Sequence, residues 1–219
     1  MHKYIIMGVQ GCGKGTQAQM LVKAYDMVHI NVGEIFRWNI EHRTKLGARI
    51  QRIVARGELV DDETVDEIVK HRLDEHNWNY GFVLDGFPRN EPQAMFFLES
   101  YDIDAVIHIN VPDEVVVQRI MGRRFCSQCG LDYNIIQTWP KEHNRCDVCG
   151  GRLVKRQDDT QESIERRLQD YHNKTRPLLD LLGRNIPLVD VDGARAPEEI
   201  QVEIRCQLGL PEPPAQGTA

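Results

Sequence analysis

A short apolar run, Tyr4-Ile5-Ile6-Met7, leads straight into Gly8-Val9-Gln10-Gly11-Cys12-Gly13-Lys14-Gly15-Thr16. That junction calls for a β-strand ending in a tight glycine loop that opens a helix. Backbone N–H groups and the positive end of the helix then face one concave spot, a ready seat for phosphate. Glycines 8, 11, 13 and 15 remove Cβ atoms that would hold a polyphosphate off the backbone, and Lys14 is placed to reach its oxygens. The pattern departs from Gly-x4-Gly-Lys-[Ser/Thr], because Gly15 follows the lysine and the hydroxyl arrives at Thr16. The plain alternative is a glycine-rich turn with no ligand, which leaves the lysine and threonine unexplained.

Beyond the loop the chain alternates. Apolar, β-rich segments fall at 4–7, 82–84, 105–109 and 188–191, with a weaker one at 27–30. Helical periodicity fills 14–24, 62–73 (with Asp61 or Asp62 as N-cap), 113–121 after Pro112, and 163–182 with a kink at Pro177. Such alternation implies an α/β fold, a parallel sheet covered by helices on both faces in a three-layer P-loop core. Ligands in these sheets bind at the carboxyl ends of the strands. Two stretches do not fit the core, a helical one at 32–60 and a cysteine-bearing one at 123–160, and both read as inserts over that edge. The core is then 1–31, 61–122 and 161–219.

Four of the six cysteines form Cys126-x2-Cys129 and Cys146-x2-Cys149, sixteen residues apart. Each pair makes a knuckle that aims two thiolates at one ion, and two knuckles complete a tetrahedral zinc site. Four thiolates leave no open position, which favours a structural metal. Gly130 and Gly150-Gly151 allow the positive φ angles such turns often use. Cys12 and Cys206 are expected as free thiols. At a helix N-terminus Cys12 has a route to a low pKa, against the plainer reading of a small loop residue.

The strand at 82–84 ends in Asp85-Gly86-Phe87-Pro88-Arg89. An aspartate there, opposite a phosphate loop, suits a magnesium ion held through its waters, and the Gly-Pro turn presents Arg89 to the same cleft. Arginines then gather around the cysteine insert at 119, 123, 124, 156, 166 and 167. Guanidinium groups converging on phosphates neutralise the charge that spreads over phosphoryl oxygens. Asp158-Asp159 either orients those arginines or caps the helix starting near Gln161.

Taken in order and spacing, these motifs resemble the adenylate kinase family in its long, zinc-containing bacterial type. They run from Gly8 to Gln17, then Gly33-Glu34-Ile35-Phe36-Arg37, Gly57-Glu58-Leu59-Val60, Leu84 to Arg89 with Gln93, and Arg119-x3-Arg123-Arg124. The two cysteine knuckles, Arg156-Gln157-Asp158-Asp159, Arg166-Arg167-Leu168 and Val191-Asp192-Gly193 complete the match, which covers 1–210. The resemblance implies reversible, magnesium-dependent transfer of the ATP γ-phosphoryl group to AMP, giving two ADP. It implies that Gly11, Cys12, Gly13, Lys14, Gly15 and Thr16 cradle ATP phosphates, that Arg119 and Arg195 meet its adenine, and that Arg123, Asp132 and Tyr133 close over it. Val32, Arg37, Glu58, Leu59, Val60, Gly86, Phe87, Pro88, Arg89 and Gln93 would bind AMP. Lys14, Arg89, Arg123, Arg156 and Arg167 would carry catalysis, with Arg156 and Arg167 also on the AMP side. The insert at 32–60 becomes a monophosphate-binding flap, and that at 123–160 a lid that excludes water. The chain departs from the family pattern at Gln10 (usually proline), Val32 (threonine), Glu34 (aspartate) and Asn134 (histidine). Loss of the threonine hydroxyl bears on base choice.

Other classes are weighed against this reading. A formal charge of −6 argues against a broad nucleic-acid surface. A zinc-ribbon ATPase working on nucleic acid would use Tyr133 and Trp139 for stacking, but acidic residues interrupt the ribbon. A nucleotide sensor would not need the full arginine set, and a kinase using another nucleoside monophosphate or GTP stays open. With no basic-then-apolar leader and no apolar run of the ~20 residues a span needs, the expectation is a cytoplasmic monomer without membrane or nucleic-acid partners. The tail from Pro211 has little to bury and is expected to be disordered.

Overall fold

In the computed structural model, which describes residues 2–77, 79–136 and 140–213, the expected alternation becomes a five-stranded, all-parallel sheet. Trp139 and the tail residues 214–219 lie outside the described residues. The chain runs β1 (Lys3–Met7), α1 (Lys14–Tyr25), β2 (Val28–Asn31), α2 (Val32–Glu41), α3 (Lys45–Ala55), α4 (Asp62–Asp74), β3 (Phe82–Asp85), α5 (Glu91–Ser100), β4 (Ala105–Asn110) and α6 (Asp113–Gly122). It continues with β5 (Arg123–Cys126), β6 (Asp132–Asn134), β7 (Leu153–Val154), α7 (Gln161–Asp170), a π-turn (Tyr171–Thr175), α8 (Pro177–Leu182), β8 (Leu188–Asp192) and α9 (Pro197–Gln207).

Strand order in the main sheet is β2-β3-β1-β4-β8. The central strands are apolar throughout because both their faces are covered. Tyr4, Ile6, Val83, Ile107 and Ile109 point to one layer with Leu21, Ile120 and Ile204. Ile5, Met7, Leu84 and Val106 point to the other, with Phe36, Val69, Phe97 and Leu179. Edge strand β8 instead alternates, burying Val189 and Val191 while Asp190 stays exposed.

The segment at 32–60 is two helices. α2 ends near Arg43, which takes φ 51°, and Thr44 caps α3 by accepting from Gly47 N–H at 3.0 Å. Asp61 caps α4, accepting from Thr64 N–H at 3.0 Å. Helices α5 and α9 were not foreseen in the sequence, nor was the antiparallel sheet β6-β5-β7 of the cysteine insert. The helix expected over 163–182 is broken ahead of Pro177: Arg176 N–H bonds back five residues to Tyr171 O at 2.7 Å. Proline cannot donate to the ladder and crowds the preceding turn, and the turn before it widens. Among the described residues, no helix is long and apolar enough to cross a membrane.

Candidate active site

Because β1 lies between β3 and β4, the glycine loop after β1 and the Asp85 turn after β3 open side by side at the carboxyl edge of the sheet. They line a cleft of about 470 Å³ together with residues of the 32–60 segment, the cysteine insert and α7. Gly8, Gly11 and Gly13 take φ of 141°, 88° and 106°, conformations that favour glycine. A Cβ on Gly8 would also come within 2.6 Å of Ile109 O, and one on Gly11 within 2.6 Å of the Ile120 side chain. Lys14 Nζ donates to Gly8 O at 2.7 Å and Val9 O at 2.9 Å, so the ammonium sits inside the curl of the loop. Cys12 is buried, which pushes its thiol above the ordinary range; the plain packing reading holds over the reactive one.

Asp85 is the last residue of β3 and is buried. Its Oδ2 accepts from Asn31 Nδ2 at 2.9 Å, with His29 Nε2 3.4 Å away. Asn31 turns its other amide atom to the segment that follows: Oδ1 accepts from Glu34 N–H at 2.9 Å and caps α2. One side chain thus ties the carboxylate to the start of α2. The carboxylate lies 3.8 Å from where a Cβ on Gly15 would stand, a hard oxygen donor beside the phosphate loop of the kind magnesium takes.

The basic residues converge from several elements, and Arg89, Arg119, Arg123, Arg156 and Arg167 are each held by an acidic partner or a carbonyl. Arg123, at the entry to the insert, gives two hydrogen bonds to Asp159, at 2.6 and 3.0 Å. Arg167 on α7 pairs with Asp158 at 2.8 Å and lies 3.8 Å from Asp159. Arg156 pairs with Asp132 at 3.0 Å. Arg119 donates to Cys12 O at 3.1 Å and Gly193 O at 2.8 Å. Arg89 is partly buried at the cleft wall, and its Nε donates to Gly86 O at 2.8 Å. Burial, then the nearby Arg167, lowers its pKa. Burial, and next Arg156, brings Arg37 down to about 10, which leaves it charged at neutral pH. Burial pushes the Asp158 carboxyl up, but Arg167, Arg37 and Arg123 together hold it below the ordinary range. Asp158 and Asp159 therefore orient arginines, and the cap of α7 is Thr160, which exchanges hydrogen bonds with Ser163.

In the insert, the four sulfurs of Cys126, Cys129, Cys146 and Cys149 lie within 4.8 Å of one another. Two of the S···S separations are 3.3 and 3.6 Å, against the about 3.8 Å that four Zn–S bonds of about 2.3 Å impose in a tetrahedron. N–H groups of Gln128 and Cys129 point at Cys126 Sγ. Gly130 and Gly150 take φ of 74° and 73°; Gly151 instead stays small because a Cβ would come 2.8 Å from Cys126 Sγ. The donor set and spacing fit zinc. Tyr133 is turned into this cluster, its hydroxyl accepting from Asp147 N–H at 2.7 Å and donating to Cys146 Sγ at 3.4 Å.

The adenylate kinase family profile matches residues 6–186. The chain belongs to the adenylate kinase family. The adenylate kinase of Clostridium tetani is 42% identical over 210 residues, covering 94% of this chain and 97% of that protein. That of Caldanaerobacter subterraneus subsp. tengcongensis is 41% identical over 208 residues, 93% of this chain and 94% of the relative. That of Acetivibrio thermocellus is 38% identical over 207 residues, 92% and 95% respectively. As a member of the adenylate kinase family, the protein is a phosphotransferase.

Of the residues the family resemblance singled out, the loop residues 11–16, Arg37, Glu58, Leu59, residues 85–89, Arg119, Arg123, Asp132, Tyr133, Arg156, Arg167 and Arg195 line the cleft. Val32, Val60 and Gln93 stand behind the wall. Val32 and Val60 are packed in the core. Gln93 accepts from Arg89 N–H at 2.8 Å and donates to Asp62 at 2.7 Å. Arg195 is paired with Glu203, and Arg166, outside the cleft lining, with Glu58. Asn31, Tyr171 and Thr175 also line the cleft and stand outside the sequence motifs. Asn31 carried a signal, since an asparagine just ahead of a helical run is a common N-cap.

Proposed function

We propose that the protein catalyses reversible, magnesium-dependent transfer of the γ-phosphoryl group from ATP to AMP, giving two ADP. One observation carries this reading: Lys14, Arg37, Arg89, Arg123, Arg156 and Arg167 converge from five parts of the chain on the mouth of one glycine loop. Phosphoryl transfer asks the protein for positioning and charge stabilisation more than for proton chemistry. The loop N–H groups and Lys14 hold the triphosphate, with Arg119 and Arg195 on its adenine side and Asp132 and Tyr133 under the lid. Arg37, Arg89, Gly86, Phe87, Pro88, Glu58 and Leu59 form the acceptor side, backed by Val32, Val60 and Gln93. Arg123, Arg156 and Arg167 neutralise the group in flight, exchanging their carboxylate partners for phosphate oxygens.

Asp85 is the side chain that would hold the water shell of a magnesium ion brought with ATP, which would offset phosphate charge. Zinc on the four cysteines is structural and takes no part in the transfer. The segment 32–60 acts as the monophosphate flap and 123–160 as the lid over a core of 1–31, 61–122 and 161–219. A cytoplasmic monomer is part of the same proposal, and the net charge of −6 is in keeping with the lack of a nucleic-acid partner.

A second reading, a different acceptor base, is favoured by one observation. Val32 offers no hydroxyl, and both polar atoms of the Gln93 side chain are already engaged. Steady-state assays with AMP, CMP, UMP and GMP decide between them. A preference for AMP of tenfold or more in kcat/KM supports adenine reading, and equal use of several bases overturns it.

A further inference from the structure

His108 on β4 is buried between two partners that the reaction described above does not employ. Its Nδ1 is 2.9 Å from Asp190 Oδ1 on β8, the residue directly beside it in the parallel register, and its Nε2 is 2.7 Å from Tyr171 Oη. The arrangement is fully satisfied in one protonation state. Nδ1–H donates to the carboxylate, and Nε2 accepts from the phenol. Tyr171 opens the π-turn, and its carbonyl accepts from Arg176 N–H at 2.7 Å. The same turn carries Thr175, whose hydroxyl donates to Arg89 O at 2.8 Å. The peptide of Arg89 is thus held from two sides, its N–H by Gln93 and its carbonyl by Thr175. A π-turn inside a helix often marks a functional position.

We propose that Asp190, His108 and Tyr171 are positioning residues for phosphoryl transfer: through the π-turn and Thr175 they fix Arg89, and with it the seat of the acceptor phosphate. This rests on the acceptor-side role given to Arg89 above. Asp190 lies on the edge strand, outside the cleft lining, so it acts only through His108. Protonating His108 turns Nε2 from acceptor into donor and places a cation opposite Asp190, Tyr171, Arg176 and Lys14, the charged and titratable groups facing it. The Tyr171 bond then reverses, Nε2–H donating to the phenol oxygen while the hydroxyl proton is turned off Nε2 into a buried site, and grip on the acceptor falls in acid.

The test is steady-state kinetics of the full-length, zinc-loaded protein with ATP and AMP varied separately, from pH 5 to 8. Tyr171→Phe and Thr175→Val should each raise the KM for AMP roughly threefold to tenfold, the effect of one lost hydrogen bond between neutral groups, with the KM for ATP within about twofold. The double variant should be no worse than the more affected single one, since both cut one route. Asp190→Asn should raise the AMP KM less. His108→Gln, which keeps a donor and an acceptor but cannot titrate, should preserve the neutral-pH KM and leave only the shallower acid rise that the AMP phosphate causes by its own titration at about pH 6.

Melting curves run alongside separate the outcomes. Variants that melt earlier yet keep the wild-type KM for AMP, or that raise both KM values equally, overturn the relay. So does an acid limb in His108→Gln as steep as that of the wild type. If the wild type itself makes no ADP, the phosphoryl-transfer reading falls instead, so the two failures are distinguishable.

Discussion

Withdrawing the metal from the four thiolates with a chelator, or replacing Cys146 by serine, is expected to unfold residues 123–160 while the five-stranded core stays folded. Among the described residues, the apolar cluster inside that insert consists of Cys126, Tyr133, Cys146 and Leu153, two of them cysteines that would hold the metal. Burying Tyr133 and Leu153 contributes about 1.5–3 kcal/mol each. Strands β5, β6 and β7 have only 4, 3 and 2 residues, short of what stands alone in water. A closed four-thiolate zinc site in a small domain contributes about 10–16 kcal/mol, more than all the apolar burial there. Hydrogen exchange read by mass spectrometry is the assay. In metal-free protein the amides of Cys126, Ile135 and Cys146, which bond to Leu131, Gly122 and Gly151, should exchange freely, while those of β1, β3 and β4 keep their protection. Protection of the insert amides unchanged without metal would refute the reasoning, and so would loss of the whole protein in a single step.

Two further outcomes follow from side chains already described. Lys14→Ala removes the ammonium held in the loop and should cost about 10²–10³ in kcat, the usual effect of losing one preorganised charge donor, with a melting temperature within a few degrees of wild type; calorimetry and kinetics together check it. Asp66 on α4 has a buried Oδ1 with no hydrogen-bond partner, and burial followed by Asp62 pushes its carboxyl up to about 6. A carboxyl raised in the fold contributes its stability below the unfolded value near 3.8 and loses it as pH rises through about 6. Asp66→Asn should therefore leave stability at pH 4 nearly unchanged. At pH 8 it should add roughly 1–2 kcal/mol, discounted because the group is partly exposed. Paired denaturant melts at the two pH values read the difference.

The parts of the fold written in local periodicity were legible. The four apolar segments and the weaker one at 27–30 are the five strands of the sheet within a residue or so, because central strands buried on both faces must be apolar and edge strand β8 still buries alternate valines. Helix α9 escaped notice because its buried positions, Ile200, Gln201 and Ile204, are few and one is polar. The insert sheet escaped because metal and turn geometry, not side-chain alternation, hold strands so short. At the site, spacing gave the loop, the thiolates and the arginines. It could not show that Gln93 faces Asp62, that Tyr133 leans on the thiolates, or that Asn31 joins Asp85 to α2. Those are contacts between residues far apart in sequence or with two possible partners, and only the packed chain chooses between them.

The central claim is phosphoryl transfer between nucleotides, and phosphorus NMR of the purified, metal-loaded protein with ATP, AMP and magnesium tests it most directly. The account predicts that ATP and AMP signals fall together while ADP grows at two per ATP consumed, that the reaction runs back from ADP alone, and that no inorganic phosphate appears. Release of inorganic phosphate from ATP at a rate indifferent to AMP would contradict it.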